Sequence, residues 1–166
     1  MAKDESFDVV SEVELQEVDN AYQQTRKEIA QRYDLKGSKA SLEFDKGAKR
    51  FTLLAPSEFV AKQVIDVLNT RFIQRKVDLK AVRWTGPEDA SGLMVRFRGE
   101  LVEGISKELA TKINKNIRDL KLKRVKVQIE GEKLRVFSSS RDELQEVISY
   151  LKEQDYGQPL QYINYR

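Results

Sequence analysis

Seven residues of this 166-residue chain have the chemistry to hold an anionic, planar ligand: Arg96, Arg98, Lys126, Arg135, Phe137, Arg32 and Lys36. Arginine forks and lysine ammonium groups pair with phosphate, and an aromatic ring stacks on a base. The first five lie in segments where apolar and polar residues alternate, so each segment turns them to one side. Arg32 and Lys36 bracket Tyr33-Asp34-Leu35 just before Gly37. That stretch reads in two ways. It is a helix stop with glycine near the C′ position, or a turn in which Arg32, Lys36 and the Gly37 backbone meet a phosphate.

Other chemistries find little support. The chain has no histidine and no cysteine, which removes the usual neutral-pH acid–base group, the thiolate nucleophile and the commonest zinc ligands. Glu17 with Asp19, and Asp142 with Glu143, are the nearest approach to paired carboxylates. First-turn acids favoured by the helix dipole account for them. There is no GxxxxGK[ST] phosphate loop and no GxGxxG after a strand. We therefore expect a protein that is not an enzyme and needs no metal or cofactor.

Periodicity shows what must position these residues. Phe7 to Val13 reads as a strand, and Glu14 to Tyr33 carries Leu15, Val18, Tyr22 and Ile29 at helical spacing. A hairpin follows, 40–44 with 50–54, turned by Asp45-Lys46-Gly47-Ala48. Ser57 opens a second helix with Val60, Val64, Val67, Leu68 and Phe72 on one face. A strand over 79–84 leads into Thr85-Gly86-Pro87-Glu88-Asp89, a run of turn formers. The second half replays the order. A strand at 94–98 precedes a Ser106-capped helix, a hairpin of 125–129 with 133–137, a Ser140-capped helix and a closing strand over 160–165. This predicts an α+β protein of two tandem ferredoxin-like (RNA-recognition-like, βαββαβ) domains, residues 1–88 and 89–166.

Such a unit stacks both helices on one face of an antiparallel sheet and leaves the other open. Alternation sends Val95, Phe97, Val125, Val127, Ile129, Leu134 and Val136 toward the helices. It sends Arg96, Arg98, Lys126, Gln128, Lys133, Arg135 and Phe137 to the open face, with Tyr162 and Asn164 joining them. Charge is also uneven. Residues 106–135 hold ten Lys/Arg against four Asp/Glu, whereas the first twenty residues hold one lysine against seven acids, so the second half suits an anionic partner. The aromatic-rich signature of a sequence-reading RNA-recognition motif is missing, which argues against base-by-base RNA reading.

Longer stretches carry a resemblance. Ser6-Phe7-Asp8-Val9-Val10-Ser11-Glu12-Val13 and Arg32-Tyr33-Asp34-Leu35-Lys36-Gly37 are similar to segments of the bacterial YajQ family, which usually has Phe at the position of Tyr33. The second half matches more fully, through Gly104-Ile105, 121–123, 127–132, Arg135-Val136, 140–145 and 157–166. The resemblance covers 6–166. It implies two ferredoxin-like domains whose first strands are exchanged, so that 7–13 would join the second sheet and 94–99 the first. It also implies nucleotide binding, with cyclic di-GMP, GTP and tRNA as proposed ligands and no catalytic activity.

The expected function is thus non-catalytic binding of a nucleotide or RNA, with a possible role as a signalling effector. The competing expectation is a protein–protein adaptor with incidental nucleotide affinity. An acidic, apolar-poor N-terminus and the lack of any 18-residue apolar run point to a cytoplasmic protein without a membrane partner. Oligomeric state is not legible in these residues.

Overall fold

The computed structural model describes residues 3–166. Strands and helices run β1 (Glu5–Val10), α1 (Leu15–Gln31), β2 (Ser41–Asp45), β3 (Arg50–Ala55), α2 (Glu58–Gln74), β4 (Val82–Ala90) and β5 (Met94–Leu101). They continue with α3 (Lys107–Asp119), β6 (Lys126–Glu130), β7 (Lys133–Ser138), α4 (Arg141–Glu153) and β8 (Gln161–Ile163). Three of the four helices begin at the serines picked out above. The hydroxyls of Ser57, Ser106 and Ser140 accept from the amides of Val60, Leu109 and Glu143, which satisfies a donor that the first helical turn leaves unpaired.

The strands form two four-stranded antiparallel sheets, in the orders β6-β7-β1-β8 and β2-β3-β5-β4. Each order is that of a ferredoxin-like βαββαβ unit, and in each the central first strand comes from the other half of the sequence. The exchange implied by the family resemblance is therefore present. It also sets the limits of the compact units, which are Met1–Glu12 with Glu103–Arg166, and Val13–Val102. The sequence repeat placed its division between 88 and 89. Because β5 pairs with the full length of β3, residues 89–102 fold with the helices that precede them.

In the unit of 13–102, α1 and α2 cover one sheet face around Phe51, Leu53, Leu68 and Phe72, all fully buried. Phe51 lies at the centre of an aromatic group, stacked on Phe44 at 4.4 Å with Tyr22, Phe72 and Trp84 within 6.2 Å. Gly99 makes room for it. A Cβ there would come within 2.8 Å of the Trp84 ring and of Val82. In the other unit, α3 and α4 pack on Phe7, Val9, Leu134 and Val136.

Three expectations change. The turn-rich 85–89 is part of β4, which runs on to Ala90 with its register shifted between Thr85 and Glu88, and the hairpin reverses at 91–93 instead. Turn formers mark a break in the ladder, and here the break is a bulge. Ile129 is 44% exposed, near the end of β6, which is an edge strand. Tyr162 lies opposite Val9, so it faces the core, edge-on to Phe7 at 6.2 Å, rather than the open face.

Candidate functional site

The structure distributes the seven candidate residues over three places. Lys126, Arg135 and Phe137 share the open face of the sheet that contains β1, with Lys126 directly opposite Phe137. Arg96 and Arg98 lie two residues apart on β5, on the open face of the other sheet. Arg32 and Lys36 are at the exit of α1.

On the first sheet, the exchange decides the electrostatics. β1 brings Asp8 opposite Arg135, and its carboxylate is almost wholly buried, 1% exposed. Arg135 Nε donates to Asp8 Oδ1 at 2.9 Å, Asn164 Nδ2 donates to Oδ2 at 2.8 Å, and Lys133 Nζ stands 3.4 Å from the same oxygen. The Arg135 hydrogen bond, helped by Asn164 and the nearby cations, outweighs burial and holds the Asp8 carboxyl down at about 2. Arg135 is thereby committed to a partner inside the fold. Lys126 is exposed and Phe137 half-buried, and Lys126 has no ion pair among the described residues. Asn164, expected on this face, is there as a ligand of Asp8.

On the second sheet, Arg98 Nε stands 3.5 Å from Glu88 Oε1, and Arg50 pairs with Glu100 at 3.2 Å. Arg96 is half-buried opposite Leu54 and Glu88. Acids from β4 and β5 thus answer most of the basic charge that alternation places here.

The exit of α1 is different. The Leu35 and Lys36 amides both donate to the Arg32 carbonyl, and the Ser38 amide donates to that of Leu35, which winds 33–38 into a compact turn. Leu35 is folded inward as its anchor, while Gly37 takes a left-handed φ of 79° that glycine tolerates without strain. Beside the turn, α1 and β2 enclose a groove of about 440 Å³. Its buried floor is Ile29, Leu35 and Leu42, and its rim carries Arg26, Lys36, Lys39 and Glu43. Glu43 Oε2 accepts from the Tyr22 hydroxyl at 3.2 Å. None of the three cations is in an ion pair among the described residues. Nothing lies within 4 Å of where a Gly37 Cβ would stand, so the backbone is open to close approach. Tyr33, in the same turn, is 98% exposed. Arg32 is held by Asp34 at 2.7 Å and is not among the residues lining the groove.

Lys36 was legible from its place beside a helix-stopping glycine. Arg26 and Lys39 were missed. Arg26 lies three residues before Ile29, so it joins the groove only because of the helix face, and Lys39 depends on the course of the turn. A depression of about 380 Å³ at the other end of these helices makes a useful contrast. It is lined by Glu17, Gln24, Gln74, Arg75 and Lys76, and Arg75 is already paired with Glu17 at 3.2 Å. Burial pushes the Tyr162 hydroxyl up to about 12 and also raises those of Tyr22 and Tyr156, so these three offer no acid–base group near neutrality. No cluster of three or more metal-ligating side chains occurs among the described residues, and no helix there is long and apolar enough to cross a membrane.

Two βαββαβ units with exchanged first strands define a tandem ferredoxin-like protein. The chain belongs to the family described as nucleotide-binding protein YajQ-like, whose model matches residues 5–166. It is 46% identical over 166 residues to a protein of Desulfitobacterium hafniense named nucleotide-binding protein, all of both chains being covered. A protein of Geotalea uraniireducens with the same name is 48% identical over 161 residues, covering 97% of this chain and 98% of its own. One from Endomicrobium trichonymphae is 45% identical over the full 166 residues.

Proposed function

We propose that the protein binds a nucleotide without turning it over, in the groove between α1 and β2. Arg26, Lys36 and Lys39 hold the phosphates, the Gly37 backbone allows close approach, and the Tyr33 ring stacks on the base. The observation that carries this reading is the set of three cations, none in an ion pair among the described residues, gathered around an apolar floor. The groove volume suits a mononucleotide or dinucleotide. The names of the relatives support the ligand class. Cyclic di-GMP, GTP and RNA are the ligands to test, and a cyclic dinucleotide would make the protein a cytoplasmic signalling effector that hands its state to a protein partner.

Calorimetric titration of the nucleic-acid-free protein with cyclic di-GMP, GTP and a tRNA mixture, at two salt concentrations, tests the reading. We expect saturable binding of one of the small nucleotides that weakens as salt rises. Lys36→Gln with Lys39→Gln should reduce its affinity by about tenfold or more, as charge-assisted hydrogen bonds are lost. Tyr33→Ala should cost about tenfold, the worth of one stacked base. Both variants should melt like the parent, because all three side chains are exposed. Silence from every nucleotide would favour the adaptor reading. That reading draws support from Leu93, an apolar side chain 96% exposed at the tip of the β4–β5 hairpin.

A further inference from the structure

The two sheets end in the edge strands β6 and β8, and β2 and β4. An edge leaves one row of backbone amides and carbonyls without a partner strand, and proteins protect it with proline, short length or repelling charge. Three of these edges are protected. β4 carries Pro87, which has no amide to give, within the break in its ladder between Thr85 and Glu88. β8 is only the three residues Gln161–Ile163. β2 reads Ser41-Leu42-Glu43-Phe44-Asp45, and a second β2 laid antiparallel about its middle residue would set Glu43 against Glu43. β6 differs, because its charges match.

This strand, Lys126-Val127-Gln128-Ile129-Glu130, is complementary to itself. Antiparallel pairing about Gln128 sets Lys126 of one copy against Glu130 of the other, and Val127 against Ile129, on both sides of a twofold axis. The backbone has the phase that this register needs. The β6–β7 hairpin closes on the Glu130–Lys133 pair around Gly131-Glu132, with Gly131 at φ 60° in the first turn position. The closing pair of such a two-residue turn is hydrogen-bonded, so Glu130, Gln128 and Lys126 direct their amides and carbonyls to β7. Those of Val127 and Ile129 point away from the sheet. In the self-pair these are the residues that face each other and exchange both backbone bonds.

The side chains are free to follow. Lys126 is exposed and in no ion pair among the described residues. Glu130 is loosely held, since Lys133 and Arg135 approach it only at 3.9 and 3.8 Å and stand closer to Asp8, at 3.4 and 2.9 Å. On the helix side, Val127 packs against the core of its unit, whereas Ile129 is 44% exposed. Val127 of a second copy would cover it. We propose that two copies of this chain associate through β6, edge to edge, joining their sheets into one. The ladder is short, so the pairing is reversible and depends on concentration.

The test is sedimentation velocity of the full-length protein at low salt, over a concentration series reaching about 1 mM. We expect a monomer–dimer equilibrium within that range. Lys126→Glu sets like charges against each other at both ends of the ladder, and so does Glu130→Lys. Each should weaken self-association by about tenfold. An equimolar mixture of the two variants restores opposite charges at both ends and should associate about as tightly as the parent, a repair that mixing could not make to a damaged fold. The same exchange within one chain, Lys126→Glu with Glu130→Lys, should restore it likewise. Lys36→Gln with Lys39→Gln should leave the association unchanged, which separates this surface from the groove. A parent that stays monomeric throughout the series overturns the proposal. So do single variants that dimerise like the parent, or a mixture that gains nothing over them.

Discussion

Phe51→Ala should lower the unfolding free energy by about 3 to 5 kcal/mol, the cost of removing a buried phenyl ring from a site that cannot collapse around the loss. Phe51 is fully buried on β3, and four aromatic rings surround it. Its stacking on Phe44 and edge contacts to Tyr22 and Phe72 add to the area it buries. The site is also poor at repair. Across the ladder from Phe51 is Gly99, which has no side chain to move in, and its place is taken by the Trp84 ring. Trp84, the one tryptophan of the chain, has its ring centre 5.8 Å from that of Phe51, so its emission reports on this core directly. Denaturant titration followed by tryptophan fluorescence should show the midpoint fall sharply, and Phe51→Leu should recover roughly half of the loss. A midpoint within about 1 kcal/mol of the parent would mean that the aromatic group is not a packed core.

Much of this architecture could be read from one sequence because the signals are local. Period-two alternation marked β2, β3, β6 and β7 within a residue or two of their observed limits, and serines with well-placed amides three residues on marked three helix starts. The exchange of β1 and β5 has no such signal. Either first strand presents apolar residues on one face and polar ones on the other, so pattern cannot say which sheet receives it, and only the family resemblance pointed there. The candidate site divides along the same line. Alternation put Arg135 on an open face, which is where it is. It could not show that Asp8, 127 residues away, is drawn to that face by the exchanged strand and neutralises it. Lys36 was visible beside its glycine, while Arg26 and Lys39 needed the angle at which α1 passes β2. The basic excess over 106–135 was plain in the sequence, whereas the capture of Arg135 and Lys133 by Asp8 was not.

The same buried carboxylate carries the second large prediction. Asp8 is ionised with a pKa of about 2 in the folded chain, against 3.8 for an unperturbed aspartate. A depressed carboxyl pKa contributes stability that is complete above the unfolded value and is lost as pH falls through the folded one. The shift corresponds to about 2 kcal/mol, present at neutral pH and disappearing between about pH 4 and pH 2. Asp8→Asn should therefore destabilise the protein by about 2 to 3 kcal/mol at pH 7, since Arg135 and Lys133 lose their common partner and the Asn164 amide meets a weaker acceptor. The loss is moderated because Lys133 and Arg135 retain Glu130, at 3.9 and 3.8 Å, and keep some contact with water. Urea denaturation of both proteins between pH 7 and pH 2 would show the parent's stability converging on the variant's as acid removes the charge. Parallel curves across that window would mean that the pair contributes nothing net. Arg135→Met should be comparably harmful at pH 7, because it leaves Asp8 buried with Lys133 alone as a cation, and the double variant should recover part of the loss. That coupling bears on any search for the ligand. A binding defect in an Arg135 variant would report the loss of the β1–β7 pairing, whereas one at Lys36 or Lys39 would report contact with the ligand.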